Sequence, residues 1–187
     1  MIFFDIDDTL LNFRDAELNG VKEIYDKGGF YCKDNFNNFI SVWSKIKNKY
    51  FDMYLQNKCT FKERQIAQVV DLFNYYNIKI ETEPYDYFLI YYNVFESSWK
   101  VYDDVFPVLS KISFLKMGII SNGDDLQQRK RLEMLGINKY FNDVITSGKF
   151  GISKPSRKIF DMACERNNVN LEECYYIGDK IKQICFR

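Results

Sequence analysis

Two carboxylates, Asp5 and Asp7, stand near the start of the chain with one residue between them. They follow the apolar segment 2–4, which predicts a buried strand, so the turn that leaves this strand can direct both side chains into one crevice. A carboxylate can attack phosphorus to give an aspartyl-phosphate, and a second acid beside it can protonate the departing oxygen and then activate water. The two carboxylates can therefore divide these two roles between them, and Thr9 can hold the turn by bonding to its backbone.

A serine occupies the corresponding place after a second apolar segment, residues 117–120. Ser121 opens the sequence Ser121-Asn122-Gly123, where its hydroxyl and the neighbouring amides can bind an oxygen of phosphate. We predict Ser121 and Asn122, together with Thr9, as substrate-binding residues. Taken alone, Ser-Asn-Gly is also the sequence of an ordinary turn.

A lysine and a third aspartate follow later in the chain. Lys154 lies just before Pro155, which suits the first turn of a helix, and its ammonium can neutralise the charge of a phosphorane. Asp179 follows the apolar segment 174–177, where it can ligate magnesium. The alternatives stay open at this point: an isolated lysine is usually a solvated surface charge, residues 7–9 can simply cap a helix, and the whole set can be coincidental in a structural domain.

The composition excludes several kinds of protein. With no histidine in 187 residues, catalytic triads and zinc sites built on histidine are ruled out. The 26 basic and 26 acidic residues cancel, so no net field favours nucleic acid, and no apolar run approaches the ~20 residues that span a bilayer. The five cysteines lack C-x-x-C spacing, so we expect neither a disulfide framework nor a zinc cluster, and we predict a cytoplasmic protein without nucleic-acid or membrane partners.

The two ends of the chain predict an open α/β sheet, because short aliphatic segments alternate with amphipathic helices. One helix after Gly123 should place Leu126, Leu132 and Leu135 on one face and end at Gly136. A second helix, over residues 156–167, should group Ile159, Phe160, Ala163 and Cys164. The predicted strands are Ile2 to Phe4, Met117 to Ile120, Val144 to Ile145 and Cys174 to Ile177.

The middle of the chain, residues 13–99, has almost no strand pattern and predicts an inserted helical bundle between the two parts of the α/β domain, residues 1–12 and 100–187. Its apolar residues recur every three or four positions, and its many aromatic side chains should fill a small core. The four predicted helices are Arg14 to Asp26, Phe36 to Tyr54, a helix that starts with a capping box at Thr60 to Glu63, and Tyr85 to Ser98.

The polar residues, in this order, resemble the four motifs of the haloacid dehalogenase superfamily: D-x-D-x-T at residues 5–9, the strand-terminal Ser121, Lys154 and the acidic Asp179. The resemblance implies a Rossmann-like core with a four-helix cap, and it assigns Asp5 as nucleophile, Asp7 as acid/base and Lys154 as charge stabiliser. It also implies a magnesium ion held by an Asp5 oxygen, the backbone carbonyl of Asp7 and Asp179. Because relatives that cleave carbon–halogen bonds lack an acid at the position of Asp7, phosphate esters are the expected substrates.

The last motif departs from that family pattern. Members place a second aspartate four or five residues after the first, where this chain has Gln183 and Ile184, and we expect it to lack the usual last strand and helix. We predict a magnesium-dependent phosphomonoester hydrolase acting on a small phosphorylated metabolite, including nucleoside monophosphates, because nucleotide 5′-phosphatases with this cap look most similar. The alternatives are a phosphomutase, and a catalytically weak or inactive truncated protein that binds a ligand or a partner. The sequence gives no prediction of oligomeric state.

Overall fold

The computed structural model describes residues 1–181 of the chain, and these residues form two compact units. One unit contains Met1–Phe13 together with the described residues from Trp99 onward, and the other is Arg14–Ser98. None of the helices between residues 1 and 181 has the length and apolar character needed to cross a membrane.

The secondary structure alternates as expected at the two ends of the chain and is helical between them. In chain order, the elements are β1 (Ile2–Phe4), α1 (Phe13–Lys27), α2 (Phe36–Leu55), α3 (Phe61–Tyr75), α4 (Pro84–Ser97), α5 (Val105–Lys111), β2 (Met117–Ser121), α6 (Asp125–Met134), β3 (Asp143–Thr146), α7 (Ser147–Phe150), α8 (Arg157–Asn167) and β4 (Tyr175–Ile177). Short 3₁₀ turns lie at Phe30–Cys32, Asn138–Tyr140 and Leu171–Glu173.

The sheet of the first unit is parallel, in the order β3-β2-β1-β4 among the described strands, which confirms the predicted α/β class. Ile2 of β1 is paired with Met117 of β2 on one side and with Tyr175 of β4 on the other. The strand limits differ slightly from the prediction: β2 includes Ser121, β3 extends a residue beyond the aliphatic pair at both ends, and β4 begins after Cys174. Backbone pairing continues where the aliphatic pattern stops, because ladder hydrogen bonds do not depend on side-chain type.

One face of the sheet is covered by α8. The predicted apolar group of this helix is confirmed, because Ile159, Phe160, Ala163 and Cys164 are all buried. They form one cluster with Phe3, Ile120 and Ile145, which come from three neighbouring strands. This packing holds β1, β2 and β3 together against one helix.

The prediction for α6 was wrong in one respect. Leu126 is 79% exposed instead of buried, whereas Leu132 is buried as expected. The other buried positions of this helix are the polar Gln128 and Arg131. Gln128 lies three positions before Arg131 and four before Leu132, so the inward face of α6 is partly polar, and the helix turns Leu126 away from it.

The helical unit has an aromatic core. The four predicted helices of the insertion are confirmed, and α3 begins with the predicted capping box: the Glu63 amide donates to Thr60 Oγ1 at 3.2 Å and the Thr60 amide donates to Glu63 Oε2 at 2.7 Å. Phe30 lies at the centre of a group of rings, with Phe39 at 4.9 Å and Phe73 at 5.0 Å between ring centroids. Large rings bury much apolar surface per residue, so a bundle of this small size can be held together by them.

The described cysteines are free thiols, and Cys185 lies outside the described residues. Cys164 and Cys174 are the nearest pair, with 3.8 Å between their sulfur atoms. Burial, with the hydrogen bond to Cys174, raises the pKa of the Cys164 thiol to about 12. Such a thiol stays protonated, which makes it a poor nucleophile.

Candidate active site

The carboxyl ends of the parallel strands bring the predicted polar residues to one edge of the sheet. Asp5 directly follows β1, and its amide donates to the carbonyl of Ile177 in β4 at 2.8 Å. Ser121 is the last residue of β2, and Asp179 follows β4. Ligands bind at this edge in open α/β sheets, because the strand-to-helix turns leave a crevice there.

Asp5 and Lys154 form a buried ion pair. Asp5 Oδ2 lies 2.7 Å from Lys154 Nζ, and the two side chains are 7% and 0% exposed. The other oxygen, Oδ1, accepts a hydrogen bond from the Ile6 amide at 2.9 Å. Both carboxylate oxygens are therefore oriented before any ligand enters.

Burial and charge act in opposite directions on this pair. Burial raises the pKa of Asp5 above its usual value, although the Lys154 ammonium opposes the increase. Burial likewise lowers the pKa of Lys154, and the negative charges of Asp5, Asp7 and Asp179 oppose the decrease. The ammonium thus lies within the field of all three predicted acids, in a site with little water to screen it.

Asn122 positions the lysine through its backbone. The Asn122 side-chain oxygen accepts from the Lys154 amide at 2.8 Å, and Asn122 Nδ2 donates to the Lys154 carbonyl at 3.0 Å. This two-bond contact ties the turn after β2 to the segment before α8. The side chain that was predicted to bind substrate has both of its polar ends on the lysine backbone, and its contact with substrate stays a prediction.

Tyr176 is a neighbour of the pair that the sequence reasoning missed. Lys154 Nζ donates to the Tyr176 hydroxyl at 2.6 Å, and the ring packs edge-on against Phe160 with 5.3 Å between centroids. Burial and the negative charge of Asp5 raise the pKa of the phenol far above its ordinary value. The sequence signal that could have indicated Tyr176 is the alternation of side chains along β4. Tyr176 faces the opposite side of the sheet from Tyr175 and Ile177.

The turn after β1 is closed by its own backbone. The Ile6 carbonyl accepts from the amides of Leu10 and Leu11, both at 2.9 Å, and Asp8 takes a left-handed φ of 58°. The next helix, α1, begins only at Phe13, so the alternative that residues 7–9 cap a helix was wrong. Thr9 Oγ1 accepts from the Asp179 amide at 3.1 Å, which joins this turn to the segment after β4.

Asp7 is held by two residues of α6 that were also missed. One carboxylate oxygen accepts a hydrogen bond from Arg131 Nη1, and the other accepts from Gln128 Nε2 at 3.4 Å. The same amide nitrogen donates to Ser121 Oγ at 3.1 Å. The predicted acid and the predicted phosphate binder are therefore connected through one glutamine.

The predicted metal ligands are oxygen atoms of the kind magnesium prefers. Within residues 1–181, however, no group of three or more acidic or thiol side chains is arranged to hold an ion. The carboxylate of Asp7 contacts Arg131, and Asp179 has Lys180 Nζ at 3.9 Å. Gln183 and Ile184, the predicted departures from the last motif, lie outside the described residues.

Known proteins resemble the chain along nearly its whole length. A glyceraldehyde 3-phosphate phosphatase of Methanocaldococcus jannaschii is 29% identical over 96% of this chain and 76% of its own length. The pyrimidine 5′-nucleotidase YjjG of Escherichia coli is 26% identical over 95% of this chain and 76% of its own length. Among solved structures, the HAD-hydrolase YfnB of Bacillus subtilis, bound to magnesium, matches the fold with a TM-score of 0.81 over 97% of this chain and 80% of that chain, at 23% identity.

A family model covers almost the entire sequence. It describes a haloacid dehalogenase-like hydrolase and matches residues 1–184. The match includes both the sheet with its strand-end residues and the helical insertion. The chain therefore belongs to the haloacid dehalogenase-like hydrolase family.

Proposed function

We propose that this protein hydrolyses a phosphate monoester of a small metabolite through an aspartyl-phosphate on Asp5. The observation that carries the proposal is the buried ion pair of Asp5 with Lys154 at the carboxyl edge of the sheet. A carboxylate in such a place is a nucleophile with a fixed direction, and the ammonium is ready to neutralise charge that develops on phosphorus.

The reaction divides into two displacements. An Asp5 oxygen forms a bond to phosphorus while the bond between phosphorus and the ester oxygen breaks, and Asp7 gives its proton to that oxygen, which leaves as an alcohol. Water then attacks phosphorus, Asp7 takes one of its protons, and the bond from phosphorus to Asp5 breaks. Inorganic phosphate leaves, and both carboxyl groups return to their starting states.

Lys154 and Ser121 are proposed to hold the transferred group. The lysine carries positive charge in a site with little water, where a cation stabilises the phosphorane more strongly than it would in solvent. The serine hydroxyl can donate to a phosphate oxygen while it accepts from Gln128. Thr9 supports the turn through its contact with the Asp179 amide.

Magnesium is part of the proposal because the donors are of the right chemical type. Asp5, Asp179 and the carbonyl of Asp7 would hold the ion, which would supply positive charge to polarise the phosphoryl oxygens. The division into a core of residues 1–12 and 100–187 and a cap of residues 13–99 belongs to the same proposal, as does a cytoplasmic location.

The substrate class is proposed from the relatives. Two proteins similar to this chain over most of its length are named for a triose phosphate and for pyrimidine 5′-nucleotides. Both are small phosphate monoesters, so we propose a substrate of that size, including nucleoside monophosphates. A nucleic acid is not proposed, since the formal net charge of the chain is +0.

The test is Asp5→Asn, which keeps the size of the side chain but removes the nucleophile. Release of phosphate from 4-nitrophenyl phosphate with added magnesium should fall to background. The matched control is Asp8→Asn, because asparagine also tolerates the left-handed φ of that position, and it should retain wild-type turnover. Turnover by Asp5→Asn at the wild-type rate would rule out the mechanism, and binding of phosphate without any turnover by the wild type would support the alternative of a binding protein.

A further inference from the structure

Helix α6 carries two polar side chains in a position normally occupied by apolar residues. Gln128 is 1% exposed and Arg131 2%, as deeply buried as Leu132 of the same helix. An arginine is almost never buried to this extent unless its charge is paired, because removing a charge from water is costly. The burial therefore indicates that a specific partner holds these residues in place.

The partner is the carboxylate of Asp7. Arg131 Nη1 donates to Asp7 Oδ1 and to Gln128 Oε1, the latter at 3.2 Å. Gln128 Nε2 donates to Asp7 Oδ2 at 3.4 Å and to Ser121 Oγ at 3.1 Å. Both oxygens of Asp7 thus receive hydrogen bonds, and the amide of Gln128 is used at both ends.

The guanidinium of Arg131 is also fixed by aromatic rings. Its central carbon lies 4.9 Å from the ring centroid of Trp99 and 5.5 Å from that of Phe13. These distances are typical of cation–π contacts, which favour a guanidinium over a lysine ammonium because its plane can lie on a ring. The arginine can therefore direct Asp7 without moving itself.

The turn after β2 leaves room for the amide of Gln128. A Cβ atom at Gly123 would lie 2.6 Å from Gln128 Nε2, closer than real contacts allow. An alanine at this position would therefore have to displace the end of the Gln128 side chain. The predicted phosphate turn therefore lies directly against the side chain that contacts Asp7.

We infer that Gln128 and Arg131 are positioning residues that hold Asp7 for proton transfer to the leaving group and link it to Ser121. The inference rests on the proposed function. The donors of Arg131 and Gln128 fix the direction of both oxygens of Asp7, and Gln128 extends the same network to Ser121. A proton donor held in a fixed direction and tied to the phosphate-binding serine does not have to be ordered during the reaction, which is how positioning accelerates the chemical step.

If this role is correct, the rate lost on substitution of Gln128 or Arg131 should depend on the leaving group of the ester. An ester whose leaving oxygen is strongly basic needs the proton of Asp7, whereas 4-nitrophenolate leaves with little help. Loss of Gln128 or Arg131 should therefore slow phenyl phosphate far more than 4-nitrophenyl phosphate. The two esters are similar in size and carry the same phosphate, so differences in binding affect them almost equally.

The experiment compares kcat/KM across a series of substituted phenyl phosphates for the wild type, Arg131→Met and Gln128→Leu, with added magnesium. In Arg131→Met, we expect the rate for phenyl phosphate to fall about tenfold or more beyond the fall for 4-nitrophenyl phosphate, mainly in kcat. Gln128→Leu should show the same pattern, with a smaller extra loss for phenyl phosphate. Arg131→Lys should restore part of the loss, because it returns the charge without the planar fork.

Lys130→Met is the matched control, since it removes a positive charge from the neighbouring, exposed position of the same helix, and its series should match the wild type. An equal loss on every ester in both test variants would overturn the inference and indicate a structural role only. If Arg131→Met does not fold, as measured by circular dichroism, Gln128→Leu decides by the same criterion. If the wild type shows no turnover that depends on Asp5, the proposed function fails and the inference fails with it.

Discussion

The two acids of the turn after β1 have different surroundings. Asp5 is paired with a lysine that is fully buried and that also donates to Tyr176. Asp7 is more accessible, with 23% of its side chain exposed, and it is paired with an arginine held between aromatic rings. The surroundings of Asp5 therefore hold two opposite charges away from water. The surroundings of Asp7 instead fix the direction of its carboxylate.

The difference follows from the chemistry of the two cations. An ammonium on a flexible stem is a point charge that can follow a phosphoryl group as it moves between oxygens. A guanidinium is planar, so its donors can be aligned with a carboxylate and its faces with rings. On this view, changes on the Asp5 side slow every substrate alike, and changes on the Asp7 side slow only those that need a proton.

The largest expected effect is that of Lys154→Met. Removal of the ammonium should lower kcat/KM about 10²- to 10³-fold for every ester of the phenyl phosphate series, because charge on phosphorus loses its partner whatever the leaving group. The dependence of kcat/KM on the leaving group should stay that of the wild type. Lys149→Met, which changes an exposed lysine in the same way, should leave the series unchanged.

The same variant should also unfold more easily. A carboxylate left buried without its cation destabilises a protein by about 3–5 kcal/mol, and the double variant Asp5→Asn with Lys154→Met should recover much of that loss. Chemical denaturation of the wild type, the two single variants and the double variant measures the coupling between Asp5 and Lys154. Additive losses in the double variant would show that the two residues do not act as a pair.

A smaller effect is expected for Asn122→Ala. The substitution leaves the amide and the carbonyl of Lys154 without the side chain they contact, which should lower the free energy of unfolding by about 1–3 kcal/mol. Turnover should fall equally across the phenyl phosphate series, since the lysine is what moves. A loss confined to phenyl phosphate would place Asn122 on the Asp7 side of the site and contradict the comparison.

The smallest effect is expected for Gly123→Ala. The added methyl should displace the side chain of Gln128 into a less favourable rotamer, which costs about 0.5–1.5 kcal/mol and lowers the rate about two- to tenfold. Phenyl phosphate should be slowed more than 4-nitrophenyl phosphate. In a Gln128→Ala background, the same methyl should have no further effect, and a full additional loss there would show that Gly123 acts by another route.

Local patterns were enough to predict most of the elements. The capping box at Thr60 formed as expected, because a helix start depends on residues three positions apart. The apolar face of α8 was also predicted from spacing alone, since Ile159 and Ala163 must lie on one side of any helix. The placement of Asp5, Ser121 and Asp179 at one edge followed from the rule that parallel strands end together.

The inward face of α6 was not predictable in this way. An amphipathic pattern indicates that leucines are buried, so Leu126 was expected inside, and the polar Gln128 and Arg131 were not considered. Their burial is favourable only because Asp7, more than a hundred residues earlier, supplies the opposite charge. No local pattern contains that information.

The sequence by itself determined the class of fold, the helical insertion and the identity of the strand-end residues, because these depend on periodicity and on the order of elements along the chain. Only the tertiary structure decided which cation each acid takes, that Asn122 contacts the lysine backbone, and that Tyr176 joins the pair. The reason is that a buried charge is stabilised by whichever partners the folded chain brings within hydrogen-bond distance, and those partners come from distant segments.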